Sequence, residues 1–561
     1  VTLTPAQRTA LTHIRAAYVG PEQGTDEIIF NRPHLQYSVG MLFPAESTVV
    51  QPPVAGEAAE ILKSAVEEGD LEESGAALPL AEDWRPSSIA ISFVTDAPSV
   101  ICGVSGGIYS PVAGDGPPRW RRQPFEDTAE LGDSKRLHQR RAGDVHFEIG
   151  SRWRAYGDAS LVTVHLRLTA ESTGDDKRDI ARMLFQVGLS VQPSDGCRIL
   201  EYDTSRPFDV DAESAELRLR YRNRKVYAVG HGMAADWDLD DGQCTKVFLT
   251  PVPAFVVPAV ETMGFEGGTE ESKALGLQAL SRIDTAPDEV IPTLEAFTSS
   301  FSAWVTEQEA AAEGFGDQSH IARSIAARSR AASERMKAGV DLLRRPEQTL
   351  LRKAFALGMA AMRLQMRQAA RNRDRDVSEP TWRPFQLGFL LIAISSTVDE
   401  QHQERDLVDL IWFPTGGGKT EAYLGLAAIE VFRRRLAYGV QGGGTAVITR
   451  YTLRLLTAQQ FQRAAALICA MQLLRDSDER AKGMVPFSIG LWVGNEVTPA
   501  TLGEAQKALD RLRKAARPEE ANGFQVESCP WCMASLVPKK RTDDHGQYGF
   551  RFVGNDLVIH C

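Results

Sequence analysis

Cysteine is scarce in this 561-residue chain, with seven in all. An odd and low count excludes a disulfide scaffold and points to a reducing cytoplasm. Long apolar runs are also missing. No stretch approaches the ~18–20 apolar residues of a membrane span, so no membrane partner is expected. The first residues, Val1 to Pro5, carry neither the basic nor the apolar segment of a secretory signal. With 43% apolar and 24% charged residues, a disordered or collagen-like chain is excluded. At roughly 100–200 residues per domain, several domains are expected. Net positive charge is lacking too, at −11 for the whole chain. That excludes a uniformly basic nucleic-acid binder, but not a basic patch on an acidic protein. Residues 321–376 alone balance at +9, leaving −20 elsewhere, and the run Glu57 to Asp83 holds nine acids against Lys63.

There is no internal repeat, but the hydrophobic period changes along the chain. Residues 51–84 join Pro52-Pro53 to the acidic run and read as a loop or lid, its charge opposing that of 321–376. From about residue 87 the pattern is β. Val162, Val164, Leu166 and Leu168 alternate with Thr163, His165, Arg167 and Thr169, one face apolar and one wet. Leu217, Leu219 and Tyr221 alternate with Arg218, Arg220 and Arg222 and predict another strand. Further β runs lie near 89–94, 146–154, 183–191 and 246–257, and the Pro-, Arg- and Gly-rich stretch 113–145 reads as a flexible loop. Together these predict a large, mostly antiparallel domain with one solvated face. From about 285 the period is helical, with helices flanking Pro346. After about 381, apolar segments at 407–413, 445–449 and 487–493 alternate with helices at 420–436 and about 455–475. That alternation predicts a parallel sheet covered by helices.

The segment Phe413-Pro414-Thr415-Gly416-Gly417-Gly418-Lys419-Thr420 sits between the first apolar run and the helix after it. A phosphate loop wraps backbone N–H groups around anionic oxygens, so it needs glycines that permit close approach and positive φ. It then opens a helix whose N-terminus favours anions. In that arrangement Thr415, Gly416, Gly417 and Gly418 cradle ATP. Lys419 reaches its β- and γ-phosphates, and the Thr420 hydroxyl meets Mg²⁺. The form Pro-Thr-Gly-x-Gly-Lys-Thr resembles that of superfamily 2 helicases, although the strict P-loop pattern has Gly where Phe413 stands. Arg450, Thr452 and Arg454, with Gln459 and Gln460 shortly after, resemble helicase motif Ia, in which polar and basic groups touch the DNA backbone. Trp382-Arg383-Pro384-Phe385-Gln386 resembles a Q motif, with Gln386 reading the adenine edge and Phe385 stacking on it. Gly490 to Gly494 are a further candidate for a DNA-facing loop. The Arg433-Arg434-Arg435 run reads as cations complementing a helix C-terminus. His231, between Gly230 and Gly232, reads as a loop residue.

Cys529-Pro530-Trp531-Cys532 is a knuckle that presents two thiolates to a tetrahedral Zn²⁺, with Cys561 as a third ligand. The fourth is open between His560, His545 and a cysteine beyond residue 561. Redox or free thiols are the alternative. A helicase ATPase also needs an acidic pair after a hydrophobic strand, to hold Mg²⁺ and position water. None of Asp26-Glu27, Asp399-Glu400 and Asp478-Glu479 caps an apolar strand after the Gly-rich turn. The chain is therefore expected to be the N-terminal part of a longer polypeptide.

The run Asp409 to Leu426, the run Arg450 to Arg463 and the Cys529–Cys532 knuckle resemble the DrmA family, helicases of bacterial DISARM anti-phage systems. Arg85 to Ser88 and Gly230 to Trp237 add to the resemblance. It implies an ATP-dependent DNA helicase or translocase, acting on single-stranded or partly duplex DNA beside a DrmB-like subunit. It also implies a system that includes a DNA methyltransferase and a phospholipase D-like protein. The expected architecture is multidomain α/β. It comprises a β-rich N-terminal domain (1–284), a basic helical region (285–380), a first RecA-like lobe (381–528) and the start of a zinc-binding insertion (529–561). An RNA helicase, and a nucleotide-switched scaffold that assembles on DNA without unwinding it, are the competing readings.

Overall fold

A computed structural model describes residues 3–47, 49, 85–112, 119–134, 136–194, 196–202, 211–257, 264–412, 417–451, 454–493, 498–524 and 526–561. They form two compact units, Val1–Ala259 and Val260–Cys561. The acidic run 57–83 lies outside the described residues.

The first unit opens with helix α1 (Pro5–Tyr18), started by a capping box in which Thr4 and Gln7 satisfy each other's backbone N–H groups. Its body is one antiparallel sheet. The strands are β1 (Ile28–Ile29), β2 (Ser88–Thr95), β3 (Ser99–Val112), β4 (Arg119–Gly132), β5 (His138–Ala142), β6 (Val145–Tyr156), β7 (Ala159–Leu168), β8 (Phe185–Pro193), β9 (Ile199–Leu200), β10 (Ala228–His231), β11 (Ala234–Asp240) and β12 (Gln243–Thr250). Their order is β1-β4-β3-β8-β12-β9-β2-β7-β6-β5, with β10 also on β2 and β11 on β12. The sheet curls until its far strands meet. Arg140 of β5 pairs with Asp127 of β4 at 2.8 Å, and the rings of Phe125 (β4) and Phe147 (β6) lie 5.5 Å apart. Curling encloses Ile91, Phe93, Val164, Leu166, Ile149 and Val191, all essentially inaccessible. Alternation along β7 and the later part of β6 then turns polar side chains to the opposite face, as the sequence predicts for β7, whereas Ser92 and Val94 of β2 are covered on that side.

Two local expectations fail. The stretch 113–145 is not a loop, since β4 and β5 occupy most of it and β4 pairs with β3 along its whole length. Its Arg and Gln side chains occupy the solvated side of a long ladder, which composition alone does not distinguish from a loop. Residues 216–222 are helical, not extended: α2 covers Ala212–Arg220, capped by the Asp211 carboxylate accepting from Ser214 N–H. Leu217 and Tyr221 lie on its exposed side and only Leu219 is buried, so the two-residue alternation there is accidental.

The second unit is built on helices α3 (Pro287–Ala311), α4 (Ser319–Arg344), α5 (Thr349–Arg371), α6 (Pro384–Val398), α7 (Lys419–Tyr438) and α8 (Arg454–Ser477). The break around Pro346 forms as expected. Arg352, almost fully buried, donates to the carbonyls of Leu343, Arg345 and Pro346 freed by it. Close packing rests on glycines. A Cβ at Gly339 would lie 2.2 Å from the Leu391 carbonyl oxygen, so α4 and α6 meet backbone to backbone there. Gly358 admits Ile429 of α7 against α5 in the same way. A smaller core gathers helix α9 (Leu502–Lys514), Phe524, Leu536, Tyr548 and the hairpin β13 (Phe550–Val553) and β14 (Asp556–Ile559).

The parallel sheet expected within 381–528 is not formed among the described residues, because 407–412, 445–451 and 484–493 carry no strand pairing. A parallel ladder needs neighbours on its edges and cover on both faces. Here Val408, Leu410, Trp412, Ile448 and Trp492 are 79–99% exposed. The helices expected between these segments do form, as α7 and α8.

Gly339→Ala should lower the stability of the second unit by about 1–3 kcal/mol, the usual cost of overpacking a tight contact. The check is the denaturant midpoint of the full chain. An unchanged midpoint would mean α4 and α6 can separate at no cost.

Candidate nucleotide-binding turn and cysteine cluster

Helix α7 begins at Lys419 directly after Gly418, whose φ of +90° places the turn in left-handed space. The turn is fastened from α6. Gln386, almost fully buried, accepts from the Arg383 backbone N–H at 2.8 Å and donates from Nε2 to the Gly418 carbonyl at 2.7 Å. Arg383 Nη1 donates to the Gly417 carbonyl at 2.8 Å. A side chain at position 418 would collide with the Gln386 amide. The Q-motif-like segment thus lies against the Gly-rich turn, with both amide atoms of Gln386 engaged there. Phe385 is partly buried beside it.

On the first turn of α7, the Thr420 hydroxyl donates to Gln460 Oε1 of α8 at 3.2 Å and accepts from the Tyr423 hydroxyl at 3.2 Å. A hydroxyl has one donor and two acceptor positions, so one lone pair stays available for a cation. Tyr423 also lies 2.9 Å from the Tyr451 hydroxyl, and burial with that contact holds the Tyr451 phenol protonated well above its usual range. Glu421 pairs with Arg463 of α8. One face of the helix start is therefore tied, through Thr420, Tyr423 and Glu421, to α8 and to the residue next to Arg450. Thr420 and Tyr423 stand three apart, the spacing that puts two side chains on one helix face. That was the signal for Tyr423. Nothing in the sequence singled out Gln460 over its neighbour Gln459.

Among the DNA-contact candidates, Arg450 and Gln459 are exposed. Thr415, Gly416, Thr452 and the Arg454 side chain lie outside the described residues, as does Gly494. Each arginine of the Arg433-Arg434-Arg435 run has a partner within the fold. Arg433 pairs with Glu430, Arg434 donates to the Gly443 carbonyl, and Arg435 donates to the Pro486 carbonyl. His231 has one partner, the Ser92 hydroxyl at 2.9 Å.

Among the described residues, five of the fourteen Lys and Arg residues of the basic stretch 321–376 are ion-paired. Arg323 pairs with Glu313, Arg330 with Glu309, Arg335 with Glu404 and Asp409, Arg344 with Glu295 and Asp341, and Arg363 with Glu379.

The sulfurs of Cys529, Cys532 and Cys561 lie within 4.8 Å of one another, and those of Cys532 and Cys561 are 3.4 Å apart. That is far beyond a ~2.05 Å disulfide bond. It is near the ~3.8 Å that two thiolates keep around a tetrahedral zinc with ~2.3 Å Zn–S bonds. The knuckle closes by Met533 N–H donating to the Cys529 carbonyl, and it docks on α5 through Asn372 Nδ2 and the Trp531 carbonyl. A backbone hydrogen bond at Ala534, with help from Cys561, draws the Cys532 thiol below its usual range. The neighbouring thiols push Cys561 up to about 11. Neither His545 nor His560 joins the cluster, although His560 Nδ1 is buried without a partner.

The chain thus joins a curled antiparallel sheet to an α-helical unit that carries a glycine turn, a lysine–threonine helix start and a thiol cluster. No protein-family model matches it. It is 27% identical over 577 residues to DISARM protein DrmA of Bacillus paralicheniformis, a match covering 94% of this chain and 50% of that protein. The chain therefore spans about half the length of that relative.

Full-length chain purified with zinc should carry about one zinc ion per polypeptide, and the C529S/C532S variant should carry none, measured by elemental analysis after removal of free metal. Equal metal content would exclude the cluster as its site.

Proposed function

We propose that this chain is the nucleotide-binding portion of an ATP-dependent DNA helicase or translocase that serves anti-phage defence in the cytoplasm. The observation that carries the reading is the start of α7. A left-handed glycine precedes Lys419 and Thr420, and the threonine is bonded to the next helix beside the loop that holds Arg450. The similarity to a protein named DISARM protein DrmA supports the defence role. The exposed apolar segments before, between and after α7 and α8 are compatible with strands of a RecA-like lobe that stand unpaired.

In this reading Thr415 to Gly418 offer backbone N–H groups to the nucleotide phosphates, and Lys419 adds a positive charge at the outer ones. The Thr420 hydroxyl keeps a lone pair for Mg²⁺ while staying bonded to Gln460. Gln386 holds the turn through both amide atoms, and the adenine contact falls to Phe385 beside it. Arg450, Thr452, Arg454 and Gln459 line the DNA backbone path. A change at Thr420 is passed to that path through Gln460 and the Tyr423–Tyr451 pair. Zn²⁺ at Cys529, Cys532 and Cys561 would hold the knuckle rigid against α5 as a structural ion. A DrmB-like subunit is the expected partner.

Lys419→Ala should weaken binding of fluorescent ATP in the presence of Mg²⁺ by about 10–100-fold, the loss of a charge-assisted contact worth ~1.5–3 kcal/mol. It should also abolish DNA-stimulated hydrolysis by the assembled complex. Unchanged ATP affinity would overturn the reading. Weakened ATP binding that alters complex assembly but leaves strand separation absent in both proteins would select the scaffold. Matched DNA and RNA strands decide between the two nucleic acids.

A further inference from the structure

Part of the basic run 321–376 is ion-paired, and a second group of cations, which does not stand out in the sequence, gathers elsewhere. On the solvated face of the curled sheet, register brings together side chains from five strands. Arg141 of β5 lies opposite His146 of β6, and Arg152 of β6 lies opposite Thr163 of β7. Glu148 faces Arg167, which neighbours Ser88 of β2, and His165 faces Ala90, which in turn faces His231 of β10. Arg154, two residues beyond Arg152, stands ~7 Å further along the strand on the same face.

The charge balance of this face is one-sided. Arg141, Arg152, Arg154 and Arg167 are exposed, and Glu148 is the one carboxylate among these paired positions. Glu148 is nearly buried, accepts from Gln139 and lies 3.7 Å from Arg167. Arg141, Arg152 and Arg154 have no ion-pair partner among the described residues. Asp144 and Asp158 sit in the turns at the rim. In the middle, Thr163, Ser92 and His231 form a chain of hydrogen bonds across three strands, at 2.8 and 2.9 Å. The His165 ring lies over Gly150, whose missing side chain leaves room for it. Hydroxyls and imidazoles are flanked by unpaired guanidinium groups.

We infer that this face of the sheet is a binding platform for the sugar–phosphate backbone of a nucleic acid strand. Guanidinium groups match phosphate geometry with two parallel donors, and hydroxyl and imidazole groups can bond to phosphate or sugar between them. An extended platform of this type tracks a backbone without reading sequence. It would act in addition to the Arg450 loop and does not rest on the nucleotide chemistry proposed for α7.

The test uses the full chain without nucleotide and a fluorescein-labelled 20-residue oligothymidylate, followed by anisotropy across a salt series. R141E/R152E/R154E should bind at least tenfold more weakly at low salt. Its dependence of log affinity on log salt should flatten by about 2, from ~0.7 for each phosphate of a single strand that is no longer neutralised. The lysine version, R141K/R152K/R154K, should retain the salt slope. If the triple reversal lowers the melting temperature, R152Q/R154Q supplies the same reading with a smaller flattening. Unchanged affinity and slope overturn the platform. So does loss confined to Arg450→Ala, which would leave the helicase reading standing. So does weakened binding of poly-glutamate with oligothymidylate binding intact, which would mark an acidic protein as the partner.

Discussion

The contact on which the second unit depends is the hold that residues 382–386 keep on the glycine turn. Trp382 is sealed in the core. Its indole N–H faces the Met359 sulfur at 3.2 Å, Gly425 of α7 lets that helix come close to the ring, and its backbone N–H donates to the Leu275 carbonyl. Four residues later Gln386 reaches the Gly418 carbonyl. Glycine adopts left-handed backbone without steric cost but loses more conformational freedom than other residues when it is fixed. Here it is bonded to a segment that cannot move without disturbing the largest core of the chain. The buried amide is satisfied on both atoms, so the arrangement is specified by geometry as well as stabilised.

Charge is organised by the same logic of satisfaction. Residues 321–376 carry the densest positive run, and five of their arginines face carboxylates, among them ones brought from α3, from the segment after α6 and from Glu379. Each such pair contributes little to stability, but together they reduce the positive charge that the sequence suggests. The wet side of the β sheet does the opposite. Its arginines are sparse in sequence, at 141, 152, 154 and 167, and pleating places them on one surface with a single shielded carboxylate. Linear charge density is therefore a poor guide to surface potential in this protein. Pairing decides it.

The site was partly legible. The Gly-rich turn, the helix it opens and the helix after it follow from residue type and period. So does the gathering of Cys529 and Cys532, because a CxxC spacing closes locally. Cys561 joins them only because the β13–β14 hairpin returns the chain to the knuckle. The tie between Thr420 and Gln460 was not legible, since forty residues separate them and two glutamines stood adjacent. Apolar runs near 410, 447 and 490 gave the right alternation with helices, but a run says nothing about which strand lies beside it. Those segments stand unpaired with their large side chains exposed.

What the sequence determined by itself is what depends on neighbours a few residues away: the solvated alternation of β7, the helices around Pro346, the capping box at Thr4, the turn before Lys419. Where local signals were ambiguous it misled. At 216–222 a three-position alternation of Leu and Arg suits a short strand as well as a helix, and the Asp211 cap decided for helix. At 113–145 polar composition hid two strands that exist only because β3 and β6 lie alongside. Tertiary structure alone decided how far the sheet curls, which arginines are ion-paired, and which glutamine meets Thr420. Each of these depends on a partner distant in sequence, and the period of a segment carries no information about the surface it will face.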